Sequence, residues 1–376
     1  MKKKLLVFHP SLAPYRIDLF NALNEAFETN FYIFRKHQLS QRFDAEKLEA
    51  QFNFKPKFLT AGLELGYKHR MIRFGYLSKI VLHKPDLILC SEYNILTFSI
   101  ALFTKVFFPR VKVYTLCDDS LEVAKKSSKS RRVGRFICLK ILTGIILGNN
   151  AAEKWYNENF PKIKTITLPI IQKEERIVSI LKDAENISTQ YMDQYKLYDK
   201  NILLFVGRFI KVKNLQFLIT VFSNYVLTNK NAVLVLVGDG DRKAELQTLV
   251  ETLNMQDHIL FVGRFENEEL YAWYRIADYF ILPSISETFG AVVNESLIVG
   301  VPVLCSDLAG ASCLVNEKNG VTFSPYDEQK LLSIFKEVLS GKRQKATKHV
   351  LSNSLMPYTF DQKMSNLICF LNLDAA

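Results

Sequence analysis

The chain has 376 residues, a length that favours two domains over a single core. Its 48% hydrophobic and 23% charged residues exclude a disordered chain, and six scattered cysteines indicate neither a disulfide framework nor a zinc site, as expected in a reducing cytosol. The net charge of +11 is uneven, because residues 1–170 hold 28 Lys and Arg against 14 Asp and Glu, whereas residues 171–376 hold 21 against 24. The first half is therefore expected to attract acidic lipid head groups, pyrophosphates or nucleic acid, unless the excess is only solvated surface.

Short β-like runs alternate with helical stretches in the first half. Residues 1–8 hold too few apolar residues for a signal peptide and predict a strand, and the apolar segment 95–108, interrupted by Lys105, is too short to span a membrane. Helical spacing of apolar residues predicts a helix over 18–27. The predicted strands are Leu5–Phe8, Phe31–Phe34, Leu87–Cys90, Val111–Cys117, Gly144–Leu147 and Lys164–Leu168.

The second half repeats the alternation, so two doubly wound α/β domains with parallel sheets are predicted. Polar residues 172–200 are expected to connect them, and 360–371 predicts a final helix. Ligands of such sheets bind outside the carboxyl ends of the strands, which places the expected site in a cleft between the domains. The predicted strands are Asn201–Val206, Val233–Val237, Ile259–Val262, Tyr279–Leu282, Val301–Leu304 and Val321–Phe323.

Two stretches of the first half follow predicted strands at that edge. Tyr15 and Arg16 lie in the loop after the first strand, where Pro14 suits a first helical turn. They either face the site or only shape the turn and pair at the surface. Asp118 and Asp119 follow the strand 111–117, where adjacent carboxylates suit contact with substrate hydroxyls or, less readily, with a metal.

A basic segment comes next. Between Val123 and Lys140 the chain has seven Lys or Arg and no acidic residue, and Phe136 and Ile137 give its later part an apolar side. The pattern suits contact with lipid head groups or with an acceptor's phosphates, and it is equally compatible with a solvated loop. Nucleic acid is the weaker alternative, because no aromatic residues are interleaved with the charges.

In the second half, a strand is followed by Gly207, Arg208 and Lys213. Gly207 would let a phosphate approach the backbone while the two cations neutralise a diphosphate; the alternative is a structural turn with surface cations. Gly263 ends another strand at the same edge, where a base could rest. The stretch Asp239–Asp241 predicts a turn rather than a metal site.

The stretch 283–295 carries the strongest site signal. It joins a buried strand to a helix predicted over 291–299, which leaves N–H groups at the helix start free to bind an anion. Glu287 lies before this helix and Glu295 about a turn and a half into it. The two carboxylates suit a ligand that is part phosphate and part sugar, unless Glu287 merely complements the helix dipole and Glu295 is solvated.

A series of motifs in the second half resembles the retaining glycosyltransferases of family 4. The resemblance implies the α/β fold of that family, GT-B, in which two Rossmann-like domains face each other across a cleft. It implies an acceptor-binding domain over 1–172, a nucleotide-sugar-binding domain over 173–358, and a C-terminal helix, 359–376, that returns to the first domain. In the first half it rests on architecture and on residues 14–16, which are similar to members that build bacterial surface polysaccharides. The motifs are Val206-Gly207-Arg208 with Lys213-Asn214, Val237-Gly238-Asp239-Gly240, Phe261-Val262-Gly263, Pro283-Ser284 with Glu287 and Glu295, and Gly300-Val301-Pro302-Val303.

The resemblance implies roles residue by residue. Arg208 and Lys213 match cations that bind the donor's diphosphate and stabilise the leaving nucleotide. Glu287 matches a glutamate that contacts the donor sugar, and Glu295 one that holds the ribose. The resemblance also implies that the sugar moves to the acceptor on the same face from which the nucleotide leaves, and that the reaction uses no metal ion and no cofactor. The backbone amides near phosphate and sugar are those of Phe289, Gly290, Ala291 and Val292.

One departure from the family concerns the first domain. Many members carry a His after its fourth strand, whereas this chain has Cys117 and two carboxylates there. Asp118 or Asp119 is therefore assigned to sugar or acceptor contact, together with Tyr15 and Arg16 on the acceptor side. The donor sugar cannot be inferred.

The expected function is transfer of a sugar from a UDP- or GDP-sugar to a glycan or lipid-pyrophosphate-linked acceptor, by a cytoplasmic enzyme peripheral to the inner membrane. One alternative is a nucleotide-sugar epimerase on the same fold. The other is a basic, non-enzymatic protein that binds anionic lipid or nucleic acid.

Overall fold

The computed structural model describes residues 1–35, 45–59, 62–65, 70–339 and 353–373. Within them the chain divides into two compact units, residues 1–172 with 360–376 and residues 173–359. Each unit has a parallel sheet with helices, so the predicted pair of Rossmann-like domains is confirmed.

The elements of the first unit follow the predicted alternation of strands and helices. Its strands are β1 (Lys4–Ser11), β2 (Glu28–Arg35), β3 (Lys57–Phe58), β4 (Gly62–Leu65), β5 (Arg70–Arg73), β6 (Leu87–Ser91), β7 (Lys112–Cys117), β8 (Gly144–Leu147) and β9 (Lys164–Thr167). Its helices before the second unit are α1 (Ile17–Ala26), α2 (Ala45–Glu49), α3 (Tyr76–His83), α4 (Ile95–Phe107), α5 (Leu121–Lys125), α6 (Lys129–Leu139) and α7 (Asn150–Asn159).

The second unit repeats the scheme, and the chain then returns to the first unit. Its strands are β10 (Asn201–Val206), β11 (Ala232–Val237), β12 (Ile259–Gly263), β13 (Tyr279–Leu282), β14 (Val303–Ser306) and β15 (Gly320–Phe323). Its helices are α8 (Glu174–Asp183), α9 (Glu185–Gln194), α10 (Leu215–Val226), α11 (Lys243–Thr252), α12 (Asn267–Ile276), α13 (Ala291–Ile298) and α14 (Glu328–Val338). The last helix, α15 (Phe360–Leu373), belongs to the first unit and packs on α1.

The strand order of both sheets places the candidate residues at a topological switch point. Among the described residues the first sheet runs β3-β2-β1-β6-β7-β8-β9 and the second β12-β11-β10-β13-β14-β15. In the first sheet β1 lies between β2 and β6, and in the second β10 lies between β11 and β13. The chain therefore continues to one side of β1 or β10 first and returns later on the other side, so the loops on the two sides diverge. Such divergence opens a crevice at the carboxyl ends of the strands.

Buried apolar runs account for the strands that the sequence identified. Every residue of β11 is buried, because a strand covered on both faces needs no polar alternation. The short strand β3 and the antiparallel pair β4–β5 were not predicted, since they are only two and four residues long.

Residues 172–200, which were predicted to connect the domains, begin at the boundary between the two units and hold helices that were not predicted. Most of this segment forms helices α8 and α9, which pack on α12. Ile177 and Leu181 are buried, and the Tyr191 ring stacks on Trp273 with centroids 4.4 Å apart. The many exposed polar residues on the outer faces hid this apolar stripe from a composition argument.

Candidate active site

The loop after β10 is held against its neighbours by backbone hydrogen bonds. The Phe209 N–H donates to the Asp239 carbonyl at 2.9 Å, and the Gly238 N–H donates to the Gly263 carbonyl at 2.7 Å. On the other side, the Ile285 N–H donates to the Val212 carbonyl at 2.9 Å. Loops from four strands are thereby joined at one edge of the second sheet.

Lys213 and Glu287 form an ion pair at this edge. Lys213 ends a 3₁₀ turn, Lys211–Lys213, and its Nζ contacts Glu287 Oε2. Their side chains are only 13% and 16% exposed, so water screens the pair less than it would a surface pair. The sequence placed these residues 74 positions apart in one site, and the structure brings them together.

Helix α13 begins beside this ion pair. Gly290 precedes the helix with φ +97°, and a Cβ there would lie 2.7 Å from the Leu282 side chain and 3.4 Å from Glu287 Cγ. Glycine therefore allows both the left-handed conformation and the close packing. The N–H groups of Ala291 and Val292 open the helix and carry the positive end of its dipole, whereas the Val293 N–H already donates to the Gly290 carbonyl at 3.0 Å.

Phe289 and Glu295, two further predicted site residues, lie close to Glu287 in the chain. Phe289 is buried and its carbonyl accepts a hydrogen bond from Ala311 N–H at 2.7 Å, so only its backbone is a candidate for ligand contact. Glu295 accepts a hydrogen bond from the Tyr274 hydroxyl at 3.1 Å. Burial, followed by the Glu295 charge, raises the pKa of Tyr274 well above its usual value, which keeps that hydroxyl a donor.

Arg208 and Gly263 lie at the ends of their strands. Arg208 is exposed, and within the described ranges its guanidinium makes no ion pair. Gly263 has φ +97°, and a Cβ there would meet no described atom within 4 Å. The geometry thus leaves one exposed cation and one open backbone position at the edge that carries the Lys213–Glu287 pair.

Tyr15, Arg16 and Asp118 come together in the first unit. Arg16 is 2% exposed and forms an ion pair with Asp118, while the Tyr15 ring lies 5.6 Å from the Arg16 guanidinium. His9 is buried beside them, and burial, with Arg16 second, lowers its pKa to about 4. Arg16 therefore orients Asp118, whose side chain keeps a 33% exposed surface.

Asp119 belongs to a second, mostly buried network. Its carboxylate accepts hydrogen bonds from the Tyr93 hydroxyl and, at 2.7 Å, from Arg131, which also donates to Glu92 at 2.9 Å. The sequence analysis missed Glu92, Tyr93 and Arg131. Glu92 directly follows β6, the neighbour of β7, so the rule that selected Asp118 would also have selected it.

Glu92, Cys117 and Asp119 place one potential ligand atom each within 4.8 Å of one another. Arg131 already binds both carboxylates, and burial raises the pKa of the Cys117 thiol well above its usual value. This group therefore consists of two carboxylates bridged by one guanidinium, beside a protonated thiol. Burial, with Asp119 and Asp118 next in importance, raises the pKa of Glu92 to about 7.

Glu92 should make the stability of the first unit depend on pH. Because its pKa of about 7 exceeds the ordinary 4.5, the folded state binds more protons than the unfolded state between these values. This contribution is complete below pH 4.5 and is lost as pH rises through 7. With a third of the side chain exposed, we expect a loss of about 1 kcal/mol.

Urea unfolding of wild type and Glu92→Gln across this pH range measures the effect. The amide does not titrate, so the stability difference between the two proteins should change by about 1 kcal/mol, while His9, present in both, cancels. Parallel stability curves would show that the pKa of Glu92 is the same in the folded and the unfolded protein.

Comparison with known proteins finds a family match within the second unit. Residues 188–352 match the family model of glycosyl transferases group 1. An uncharacterized glycosyltransferase of Methanocaldococcus jannaschii, MJ1607, is 30% identical over 166 residues, which cover 43% of this chain and 42% of that protein. N-acetylgalactosamine-N,N'-diacetylbacillosaminyl-diphospho-undecaprenol 4-alpha-N-acetylgalactosaminyltransferase of Campylobacter jejuni is 35% identical over 125 residues, 33% of each chain. These matches span less than half the length of either relative.

A solved structure extends the likeness to the whole chain. Anabaena Alr3699/HepE in complex with UDP superposes with a TM-score of 0.73 at 17% identity, covering 98% of this chain and 97% of that one. At this identity the likeness establishes fold only, and it confirms the predicted GT-B architecture. Residues 188–352 thus match the glycosyl transferases group 1 in sequence, and the chain has a GT-B fold.

Proposed function

We propose that this protein is a retaining glycosyltransferase that moves a sugar from a nucleoside-diphosphate sugar to a glycan or lipid-linked acceptor. The observation that carries the proposal is the Lys213–Glu287 ion pair beside the start of α13. A cation and free helix amides suit a diphosphate, and an adjacent carboxylate suits the hydroxyls of the attached sugar.

The cations and amides would act on the leaving group. As the bond between the sugar's anomeric carbon and the phosphate oxygen breaks, negative charge develops on the diphosphate. Lys213 and the first N–H groups of α13 would stabilise this charge without reorganising, because the fold already holds them in place, and the exposed Arg208 would add a second cation. A metal ion is not needed in this scheme, since these groups supply the positive charge.

The acceptor would attack from the face that the diphosphate leaves. The acceptor oxygen forms the new bond to the anomeric carbon, and its proton passes to the departing phosphate oxygen, so the anomeric configuration is retained. Glu287 would hold the sugar's hydroxyls during this step, while Glu295, oriented by Tyr274, would bind the ribose.

The substrate classes rest on the printed names of similar proteins. The Anabaena structure contains UDP, which supports a UDP-sugar as donor. The Campylobacter enzyme is named for a diphospho-undecaprenol acceptor, which supports a lipid-pyrophosphate acceptor. Asp118, held by Arg16 and partly exposed, is the candidate contact for acceptor hydroxyls.

A thermal-shift screen against UDP- and GDP-sugars tests donor binding. A ligand that binds only the folded state adds about 2.7 kcal/mol to stability at a concentration 100 times its dissociation constant. We expect one nucleotide class to raise the melting temperature of wild type and of Lys230→Met, which removes an exposed cation of the same unit. Absence of any shift in wild type would contradict the proposed donor.

A further inference from the structure

Helices α3, α4 and α6 lie side by side on one face of the first sheet. The Tyr76 hydroxyl of α3 hydrogen-bonds Ser99 of α4 at 2.7 Å, and α4 packs on α6. Each helix buries one side in the core of the first unit, through residues such as Ile80, Ile100 and Cys138. Their opposite sides form a continuous surface, called here the outer helical face.

The outer helical face is apolar where a soluble unit is normally polar. On α4, Ile95 and Val106 are 72% and 62% exposed, and they share a stripe because they are eleven residues apart. Single exposed apolar residues are ordinary, but a cluster on adjacent helices is not. Of the sixteen large exposed hydrophobic residues among the described ranges, nine lie on these helices and Phe74 lies just before α3; the nine are Val81, Leu82, Ile95, Leu102, Val106, Phe107, Val133, Phe136 and Ile137.

The charges that accompany this surface are almost all positive. Over the described residues 87–140, no acidic side chain is exposed, since Glu92, Asp118, Asp119 and Glu122 are buried or half-buried. Lys140 Nζ lies 4.0 Å from the centre of the half-exposed Phe136 ring, so cation and apolar group share one surface. The exposed cations over the same residues are Lys105, Arg110, Lys125, Lys126, Lys129, Arg132 and Lys140.

We propose that the outer helical face binds an anionic lipid surface. Aromatic and aliphatic side chains would enter the interface while the flanking lysines and arginines contact lipid phosphates, as in interfacial amphipathic helices. The protein would lie on the bilayer, and within the described ranges no helix has both the length and the apolar character needed to cross one.

Charge complementarity decides for lipid over a second copy of the chain. A self-associating surface that presents seven exposed cations and no exposed acid over the described residues 87–140 would place like charges opposite each other, which opposes association. An anionic leaflet attracts each cation, and its interior takes up the apolar residues. The inference stands on the first unit alone and does not depend on the proposed sugar transfer.

Co-sedimentation of the full chain with vesicles tests the proposal. We expect binding to phosphatidylcholine vesicles that contain phosphatidylglycerol, and little binding to phosphatidylcholine alone. Because each cation near an anionic surface is worth about fivefold in affinity, Arg132→Gln with Lys140→Gln should weaken binding roughly 25-fold. The matched control Lys330→Gln with Lys336→Gln, which removes two exposed cations from the second unit, should leave binding unchanged.

The apolar part is tested separately. Phe136→Ser should weaken vesicle binding by about tenfold or more, whereas Leu227→Ser, which alters an apolar residue 67% exposed in the second unit, should have no effect. Equal binding by all variants, or no binding to anionic vesicles, would overturn the proposal. So would a dimer in lipid-free solution that Phe136→Ser dissociates, because the face would then belong to a second copy.

Discussion

Replacing Lys213 with methionine is expected to lower the rate of sugar transfer by about 100-fold or more, with the fold intact. The substitution removes the cation that contacts Glu287 and that would face the leaving diphosphate. Loss of one preorganised group that stabilises developing charge typically costs 10²- to 10³-fold in kcat. Transfer, or slow hydrolysis of the identified nucleotide sugar, measures the effect.

Glu287→Gln should produce a comparable loss, because the carboxylate would hold the donor sugar. Since the two side chains touch, the double variant should lose much less than the product of the single losses. Lys211→Met, which removes an exposed cation from the same turn, is the control and should stay close to wild type. Full activity in purified, folded Lys213→Met would refute the assigned role.

Gly238→Ala is expected to destabilise the second unit by about 3 kcal/mol or more. Gly238 has φ +147°, and a Cβ there would lie 1.9 Å from the Gly207 carbonyl oxygen and 3.1 Å from the Phe209 ring. A backbone atom cannot move aside as the end of a flexible side chain can. The added methyl group therefore forces the loops after β10 and β11 apart. Chemical unfolding followed by signals from each unit measures the loss.

Gly263→Ala is the matched control for this effect. It also has positive φ, +97°, but a Cβ there enters open space within the described structure. Only backbone strain, about 1 kcal/mol, should remain. Equal destabilisation by both variants would mean that the close approach of the two loops does not exist in solution.

Much of the fold was predictable because strands covered on both faces give continuous apolar runs. Tyr279–Leu282 and Asn201–Val206 have the predicted bounds, and both are almost wholly buried. The helices α8 and α9 were missed because their buried residues recur every three or four positions among many polar ones. Such a pattern is visible only when periodicity, rather than composition, is examined.

The site was predictable where candidate residues follow the carboxyl ends of neighbouring parallel strands. Lys213 and Glu287 follow β10 and β13, which are adjacent in the sheet, so their contact follows from topology. The pairing of Arg16 with Asp118 was not predictable. The two residues are 102 positions apart and follow β1 and β7, which are not adjacent in the sheet, so their contact depends on how the side chains pack. For the same reason, sequence alone assigned Arg131 only to a basic segment.

The most direct test is a crystal structure with the nucleoside diphosphate that raises the melting temperature. The diphosphate should lie between Lys213 Nζ and the first N–H groups of α13, with the ribose near Glu295 and Arg208 closing over the phosphates. A nucleotide bound elsewhere, with the Lys213–Glu287 pair unchanged and facing away from it, would contradict the account.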